Sequence, residues 1–408
     1  MLTALVIGDP HFKLDNVTEM IEFSSKLLER ARQLAPTFIV CLGDVLHTHD
    51  RISMIPLVRA ITFLDELRKI APLYLLIGNH DRLGQAVFLT EEHPFTSLKS
   101  WTNTYVVDKV LEDTIMGHKF MFVPYVSPGR FQEALKTILP AVTLSEVTLN
   151  DTERLESHLK GVTAIFAHQE FRHAKMGPII STVGDEWPAS WPYVISGHIH
   201  DYDELAVNIL YVGTPLQHAF NENSDKTVSV FTWETGGNAP ALPTGESREC
   251  TSTTETDGSM LIIPQHTRID LRLTKKKIIH ITCSELMNYT PPTGYLLKIV
   301  VTGTSAEIKA AMKLANVKTM ISNGVKVVYK DIPATVTPSQ SSAPITGAVN
   351  TVKFSQRLYS AMTRDAELIA IYERLFGAMN MEIPLKMSVK APASLAPSKP
   401  SIKLNIAN

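Results

Sequence analysis

Five short motifs hold the side chains of this 408-residue sequence that could do chemistry together: Asp9-Pro10-His11, Gly43-Asp44-Val45-Leu46-His47, Gly78-Asn79-His80-Asp81, Ala167-His168 and Gly197-His198-Ile199-His200. Carboxylates, an amide carbonyl and imidazoles form a donor set that suits manganese, iron or zinc better than calcium, which prefers oxygen alone. A carboxylate can bridge two cations, and a pair about 4 Å apart can stabilise both the attacking and the leaving oxygens of a phosphoryl transfer. The glycines before Asp44, Asn79 and His198 permit sharp turns where the backbone passes close to such ions. Each motif alone is weak, since a lone His at a strand end is usually hydrogen-bonded scaffold. Order and placement carry the signal.

The motifs can converge only if strands deliver them to one edge. The first 230 or so residues alternate short apolar runs with helical periods, an α/β pattern. Strands are predicted at Leu2–Ile7, 37–42, 73–77, 119–123, Val162–Ala167, Tyr193–Ser196, 209–212 and 227–232. A helix opened by an Asn16-to-Glu19 capping box carries Val17, Met20, Ile21, Ser24, Leu27, Leu28 and Ala31 on one face, and another covers 56–70. Each motif falls directly after a strand, where open α/β sheets form their ligand crevice. Residues 295–301, 305–314 and 324–330 read strand–helix–strand. The stripe Leu368, Ile371, Tyr372, Leu375, Phe376 and Met379 predicts a helix within 350–380. The expected layout is a catalytic domain over 1–240, a linker over 241–260, a basic α+β cap over 261–332, a linker over 333–349, a helical partner-binding segment over 350–382 and a disordered tail over 383–408.

Net charge is −2, but it is unevenly placed. Residues 261–330 hold eleven Lys or Arg against three acids, a charge of +8. A polyanion near this segment is one explanation and a solvated Lys-rich face the other. No apolar run is long enough for a membrane span. The three cysteines, Cys41, Cys250 and Cys283, argue against a disulfide framework, and the start of the chain reads as a strand rather than a secretory signal, so cytoplasm is expected. Cys41 reads as core filling. Gln169, Glu170, Trp187 and Trp191 flank a motif and read as loop packing or as a substrate lip. His49, His173 and His218 read as surface or core residues of no special role, with contact to substrate the alternative.

Taken together, these residues resemble the calcineurin-like metallophosphoesterases. Within them the likeness is to the SbcD-like DNA nucleases, which include the catalytic subunit of the phage recombination endonuclease. It covers roughly residues 1–235 by motif and the remainder by layout. Tyr211-Val212-Gly213-Thr214-Pro215-Leu216 looks like the Gly-Thr-Pro segment of these nucleases. Protein phosphatases of the family usually carry Glu at the position of Asp81 and Asp at that of His47, so the nuclease branch fits better.

The resemblance implies a four-layer sandwich, two mixed β-sheets flanked by helices, with a small cap domain and C-terminal helices. It implies two cations, manganese by preference, one on Asp9, His11, Asp44 and His200, the other on Asp44, Asn79, His168 and His198. It further implies that a water activated by the two metals is the nucleophile, that His80 contacts the scissile phosphate and protonates the leaving oxygen, and that His47 helps to position the strand. DNA would meet the cap through its basic residues, Lys275, Lys276 and Lys277 among them. An SbcC-like coiled-coil ATPase would dock on 350–382, the protein would form a homodimer, and it would work in the cytoplasm (the host's, for a viral protein). Two other readings stand beside this one: a phosphoesterase of nucleotides or phosphoproteins, and a non-catalytic DNA- or ATPase-binding scaffold.

Overall fold

The structure is a computed structural model that describes residues 1–48, 51–84, 86–140, 150–234, 255–256 and 259–332. The expected linker at 333–349, the helical segment at 350–382 and the tail at 383–408 lie outside the described residues, as does most of the 241–260 linker.

In chain order, β1 (Leu2–Ile7), α1 (Val17–Leu34), β2 (Phe38–Cys41), α2 (Met54–Arg68), β3 (Leu73–Leu76) and β4 (Thr104–Val107) come first. Then follow β5 (Leu111–Ile115), β6 (His118–Val123), α3 (Phe131–Lys136), α4 (Asp151–Leu159), β7 (Val162–Ala167) and a small hairpin of β8 (Lys175–Met176) and β9 (Ile179–Ile180). After these come β10 (Tyr193–Ser196), β11 (Asp203–Ala206), β12 (Ile209–Tyr211), β13 (Val228–Trp233), β14 (Glu255–Thr256), β15 (Ser259–Met260) and β16 (Gln265–Ile269). The last described elements are β17 (Lys275–Thr282), α5 (Cys283–Leu286), β18 (Tyr295–Gly303), α6 (Ser305–Ala311), α7 (Ala315–Ser322) and β19 (Lys326–Asp331).

One six-stranded sheet has the order β16-β13-β1-β2-β3-β4, a second the order β11-β12-β10-β7-β6-β5. Strands β1 to β4 are mutually parallel, as are β12, β10, β7 and β6, while antiparallel strands finish the edges. Period-2 alternation explains the stacking. From β1, Leu2, Ala4 and Val6 enter the core between the sheets, while Leu5 and Ile7 enter the core under α1 and α2. The inner core is aromatic, with Phe38, Tyr74, Phe120, Phe122, Phe166 and Trp233 in mutual ring contact. Each such buried ring contributes roughly 1.5–3 kcal/mol. The outer face of the second sheet packs on α3 and α4 through Phe131, Leu135, Leu155 and Leu159. The result is the expected four layers, and among the described residues no helix is long and apolar enough to cross a membrane.

A smaller parallel sheet, β17-β18-β19, follows. Ile281, Ile299, Val301, Val327 and Tyr329 face Leu286, Ala311, Val317 and Met320 of α5, α6 and α7. Thr304 and Glu307 form a reciprocal cap on α6.

Three local expectations change. The Asn16-to-Glu19 box does not close α1, because the buried Asn16 amide donates to His11 O at 2.9 Å and accepts from Lys13 N. Glu19 instead pairs with Lys276. Gln265–Ile269, expected in the cap, is an edge strand of the first sheet paired with β13. The Lys275-Lys276-Lys277 run, expected to present free charges to DNA, begins a strand, so its side chains alternate. Lys276 is 7% exposed on its side chain and bonds Glu19 and Gln217 O. Lys275 lies 3.6 Å from Asp270, and Lys277 remains exposed beside Tyr295.

Candidate metal centre

All five motifs emerge from the carboxyl ends of the parallel strands β1, β2, β3, β7 and β10. Backbone bonds lock the loops together: His11 N to Asp44 O at 3.0 Å, Gly197 N to Ala167 O at 3.0 Å, and Tyr125 N to Ile77 O at 2.9 Å, the last joining the two sheets. Asp81 is buried and accepts from Val45, Leu46 and Gly78 N, bracing the two loops that carry Asp44 and Asn79. Burial and the neighbouring Asp44 push its pKa up to about 7, against the pull of those three donors.

Backbone strain gathers here. His11, Asp44 and His198 have φ of 47°, 48° and 78°, each a left-handed conformation costing about 1–2 kcal/mol. A methyl group on Gly78 would collide with both the carboxylate and the backbone N of Asp44 and so push that loop aside, and one on Gly197 would collide with the Asp9 carboxylate. Gly78→Ala is therefore expected to leave the fold intact by circular dichroism but to weaken cation binding by about tenfold or more in calorimetry.

The predicted ligands fall into two groups whose donor atoms lie within 4.8 Å of one another: Asp9, His11 and His200, and Asp44, His168 and His198. Asn79 Oδ1 sits 3.0 Å from His168 Nε2 and 2.9 Å from His198 Nδ1. Asp44 Oδ2 stands between the groups, 3.7 Å from His11 Nε2 and 3.5 Å from His168 Nε2. His168 Nδ1 donates to Leu42 O at 2.8 Å and His11 Nδ1 to Leu46 O at 3.2 Å, so in the neutral rings both Nε2 lone pairs point inward. His11 Nε2 then faces His200 Nε2 at 3.2 Å. Nitrogen lone pairs facing one another and a carbonyl oxygen need a proton or a cation between them. Asp9 Oδ1 is also buried with no hydrogen-bond partner among the described residues. The donor set therefore fits divalent metals.

Charge agrees. Burial alone would raise the Asp44 pKa, but His168, His11 and His80 outweigh it and hold the carboxyl well below the usual range. Burial raises Asp9, and its neighbour Asp44 adds to the shift. Burial disfavours a charged His168, yet Asp44 and Asp9 overcome this and raise its pKa to about 9. Below that pH the ring must lose a proton before it can ligate, so acid competes with metal. Cation affinity is expected to rise about tenfold or more per pH unit from 6 to 8 and to level off above about 9. Titrations with Mn2+ across this range check it, and a flat profile contradicts it.

His80 and His47 lie beside these groups. Their rings stack at 5.4 Å and 5°. His80 Nδ1 donates to His47 O at 2.8 Å, and its Nε2 is 3.9 Å from Asp44 Oδ2. His11, His47 and His80 form a third set of neighbouring donors, though Nδ1 of both His11 and His80 is engaged by backbone carbonyls.

The family model described as calcineurin-like phosphoesterase matches residues 2–202, which contain all five motifs. A protein of Invertebrate iridescent virus 3 designated phosphoesterase 078R is 34% identical over 338 residues, 82% of this chain and 86% of its own. The chain belongs to the calcineurin-like phosphoesterases. A second protein, designated phosphoesterase 244L of Invertebrate iridescent virus 6, is 45% identical over 223 residues, 54% of this chain and 72% of that protein. Among solved structures, GAP50, the anchor in the inner membrane complex of Plasmodium, overlaps 56% of this chain and 80% of its own at 13% identity and a TM-score of 0.33, too partial to carry an argument. Calcineurin-like phosphoesterases are hydrolases that use divalent metals, and the donor groups above are this member's candidates to hold them.

In this calcineurin-like phosphoesterase other residues support the site. Glu222 Oε1 lies 3.5 Å from His200 Nδ1, and Lys226 Nζ donates to His200 O at 2.7 Å. No sequence signal marks Glu222, because it follows the last motif by more than twenty residues in a polar loop. His218 is buried behind His11 and His200 and donates to Asp9 O at 3.0 Å. Glu170 approaches His198 at 3.9 Å, whereas Gln169 is engaged by Asp185 and Trp187 and Trp191 are core. His173 is exposed, and His49 lies outside the described residues.

Proposed function

We propose that this calcineurin-like phosphoesterase is a DNA nuclease that hydrolyses phosphodiester bonds with two divalent cations, manganese by preference. Asp9, His11, Asp44 and His200 would hold one cation, and Asp44, Asn79, His168 and His198 the other. The observation that carries the reading is the position of the Asp44 carboxylate between His11 and His168, within 4 Å of both. When bound, the cations supply positive charge to the phosphoryl oxygens and lower the pKa of water. His80 keeps its Nε2 turned to the site because its Nδ1 is committed to His47 O, so it can hold the proton for the leaving oxygen. His47, stacked on that ring, would help to position the DNA strand.

DNA as the substrate draws support from His47 and Asp81 at the two branch-distinguishing positions and from the basic cap. Lys298, Lys326 and Lys330 lie on the face of the small sheet opposite α5, α6 and α7 by strand alternation, and none has a described carboxylate within 4 Å. Joint Lys326→Glu and Lys330→Glu substitution is expected to weaken DNA binding about tenfold at low salt and to reduce the salt slope by about two. Anisotropy titrations at several salt concentrations measure this, and an unchanged slope removes the cap from the DNA path. An SbcC-like ATPase on 350–382, a homodimer and action in end processing, recombination or repair in the cytoplasm belong to the same reading and rest on the sequence likeness.

A smaller phosphoester as substrate is the second reading, favoured by the engagement of Lys275 and Lys276 in ion pairs. One experiment separates them. The purified chain with Mn2+ is given linear and hairpin DNA, a chromogenic phosphodiester and a phosphomonoester, alongside His80→Asn. DNA cutting lost in the variant supports the nuclease. Turnover of small esters alone supports the second reading, and no turnover of any substrate, with an ATPase partner also tried, supports a scaffold.

A further inference from the structure

Lys276 belongs to the first strand of the cap, yet its side chain is buried against the first domain. Its ammonium bonds Glu19 of α1 and donates to Gln217 O at 2.7 Å, and its backbone N donates to Gln217 Oε1 at 2.7 Å. The residues just before it are tied to α1 as well. Lys26 Nζ donates to Arg272 O at 2.6 Å, and Thr274 N donates to the Glu22 carboxylate at 3.3 Å. A lysine taken out of water costs free energy unless it is paired, so these partners fix where β17 begins.

Gln217 passes the contact on. Its Nε2 donates to Glu222 O at 2.9 Å, within the connection that joins β12 to β13. In the same connection His218 N donates to Glu222 Oε2 at 2.8 Å, while Oε1 faces His200 Nδ1 at 3.5 Å. His218 Nε2 donates to Asp9 O at 3.0 Å, and its ring lies edge-on to those of His11 and His200. Segment 217–222 thus touches Asp9, His11 and His200, three of the four residues assigned to one cation. The histidines assigned to the other are supported elsewhere, His168 by Leu42 O and His198 by Tyr125 and Glu170.

We propose that Gln217 and Lys276 are positioning residues for one half of the metal centre, acting on His200 through Glu222. The proposal rests on the two-cation reading of that centre. A carboxylate beside Nδ1 favours a proton there and leaves Nε2 free to ligate, and it does so only while its loop is held in place. The clamp reaches one donor group and not the other, so loosening it costs one cation and spares the second.

The test is a two-step Mn2+ titration of the full chain by calorimetry at one pH, with folding checked by circular dichroism. Gln217→Met and Lys276→Met keep the side-chain length and remove its hydrogen bonds. Each is expected to weaken one binding step about tenfold and to change the other less than about twofold. Lys277→Met, at the exposed next position, should change neither step. Glu222→Gln should weaken the same step, and adding Gln217→Met to it should cost less than about twofold more, because the path runs through Glu222. Equal weakening of both steps, no weakening in either clamp variant, or a further tenfold loss in the double variant overturns the proposal. If the natural chain binds no Mn2+, the two-cation reading fails separately, and NMR of the metal-free chain decides the clamp. The ring-nitrogen shifts of His200 should then move in Gln217→Met and Lys276→Met while those of His168 stay. Unmoved His200 shifts, or equal movement of both rings, overturn it.

Discussion

Asp44→Asn is expected to lower phosphodiester hydrolysis by about a thousandfold or more and to reduce the bound cations from two per chain to one or none. Asn is the informative replacement. It tolerates the left-handed backbone at this position, where φ is 48°, and it can still accept the bond that Asp44 Oδ1 takes from His80 N at 2.8 Å. What it removes is the negative charge that faces His11, His80 and His168. Since Asp44 is one of the two carboxylates that raise His168, the variant should also lower the pH at which that ring gives up its proton. Metal counting, steady-state kinetics and a pH titration of metal affinity read the three consequences separately. Activity within tenfold of the natural chain would contradict the bridging role.

His80→Asn should act differently. A positioned general acid contributes about 10²–10⁴-fold, and the substitution is expected to cost an amount in that range. His80 lies outside both groups built on the carboxylates, so cation affinity should stay within about twofold, below the tenfold effects expected of ligand support. The two variants thus split metal binding from proton delivery. A leaving group that needs no protonation, such as p-nitrophenolate, should shrink the loss in His80→Asn and leave that in Asp44→Asn unchanged. Equal losses on both esters would contradict the assignment of His80 to the leaving oxygen.

Most of the centre was legible in the sequence because strands that feed a parallel sheet are short, apolar and end abruptly. Leu2–Ile7, Val162–Ala167 and Tyr193–Ser196 were bounded to the residue, and the loops after them carried polar residues of unusual type. The edges were less legible. Strands β4 and β5 mix buried and exposed positions, β4 spans only four residues and β5 carries Glu112 and Asp113, so their apolar pattern is too weak to read. The run at Lys275 reads in sequence as free charge for DNA, although it opens a strand at the edge of its sheet, a place where lysine is favoured. Lys276 then turns inward to Glu19, a partner 257 residues away that no local pattern reveals. The same long reach hides Glu222, whose meaning appears only when His200 stands beside it. Asn16 misled for the opposite reason: its local capping pattern is real, but holding the loop of His11 competes for the same amide.

The arrangement also explains why so many strained and glycine positions sit within a few residues of the motifs. Gly43, with φ of 111°, and Gly78 clear the space in which His168 and Asp44 meet, and the left-handed His11, Asp44 and His198 turn their side chains into that space. Bound cations would offset the cost of that crowding, so metal should stabilise the fold as well as complete the chemistry.

The most direct measurement is the stoichiometry and magnetic state of manganese on the full chain. Two Mn2+ per chain with a spin-coupled resonance signal are predicted, because one carboxylate would link both ions, and Asp44→Asn should abolish the coupling. A single ion, or two that give independent signals, would contradict a shared dinuclear centre.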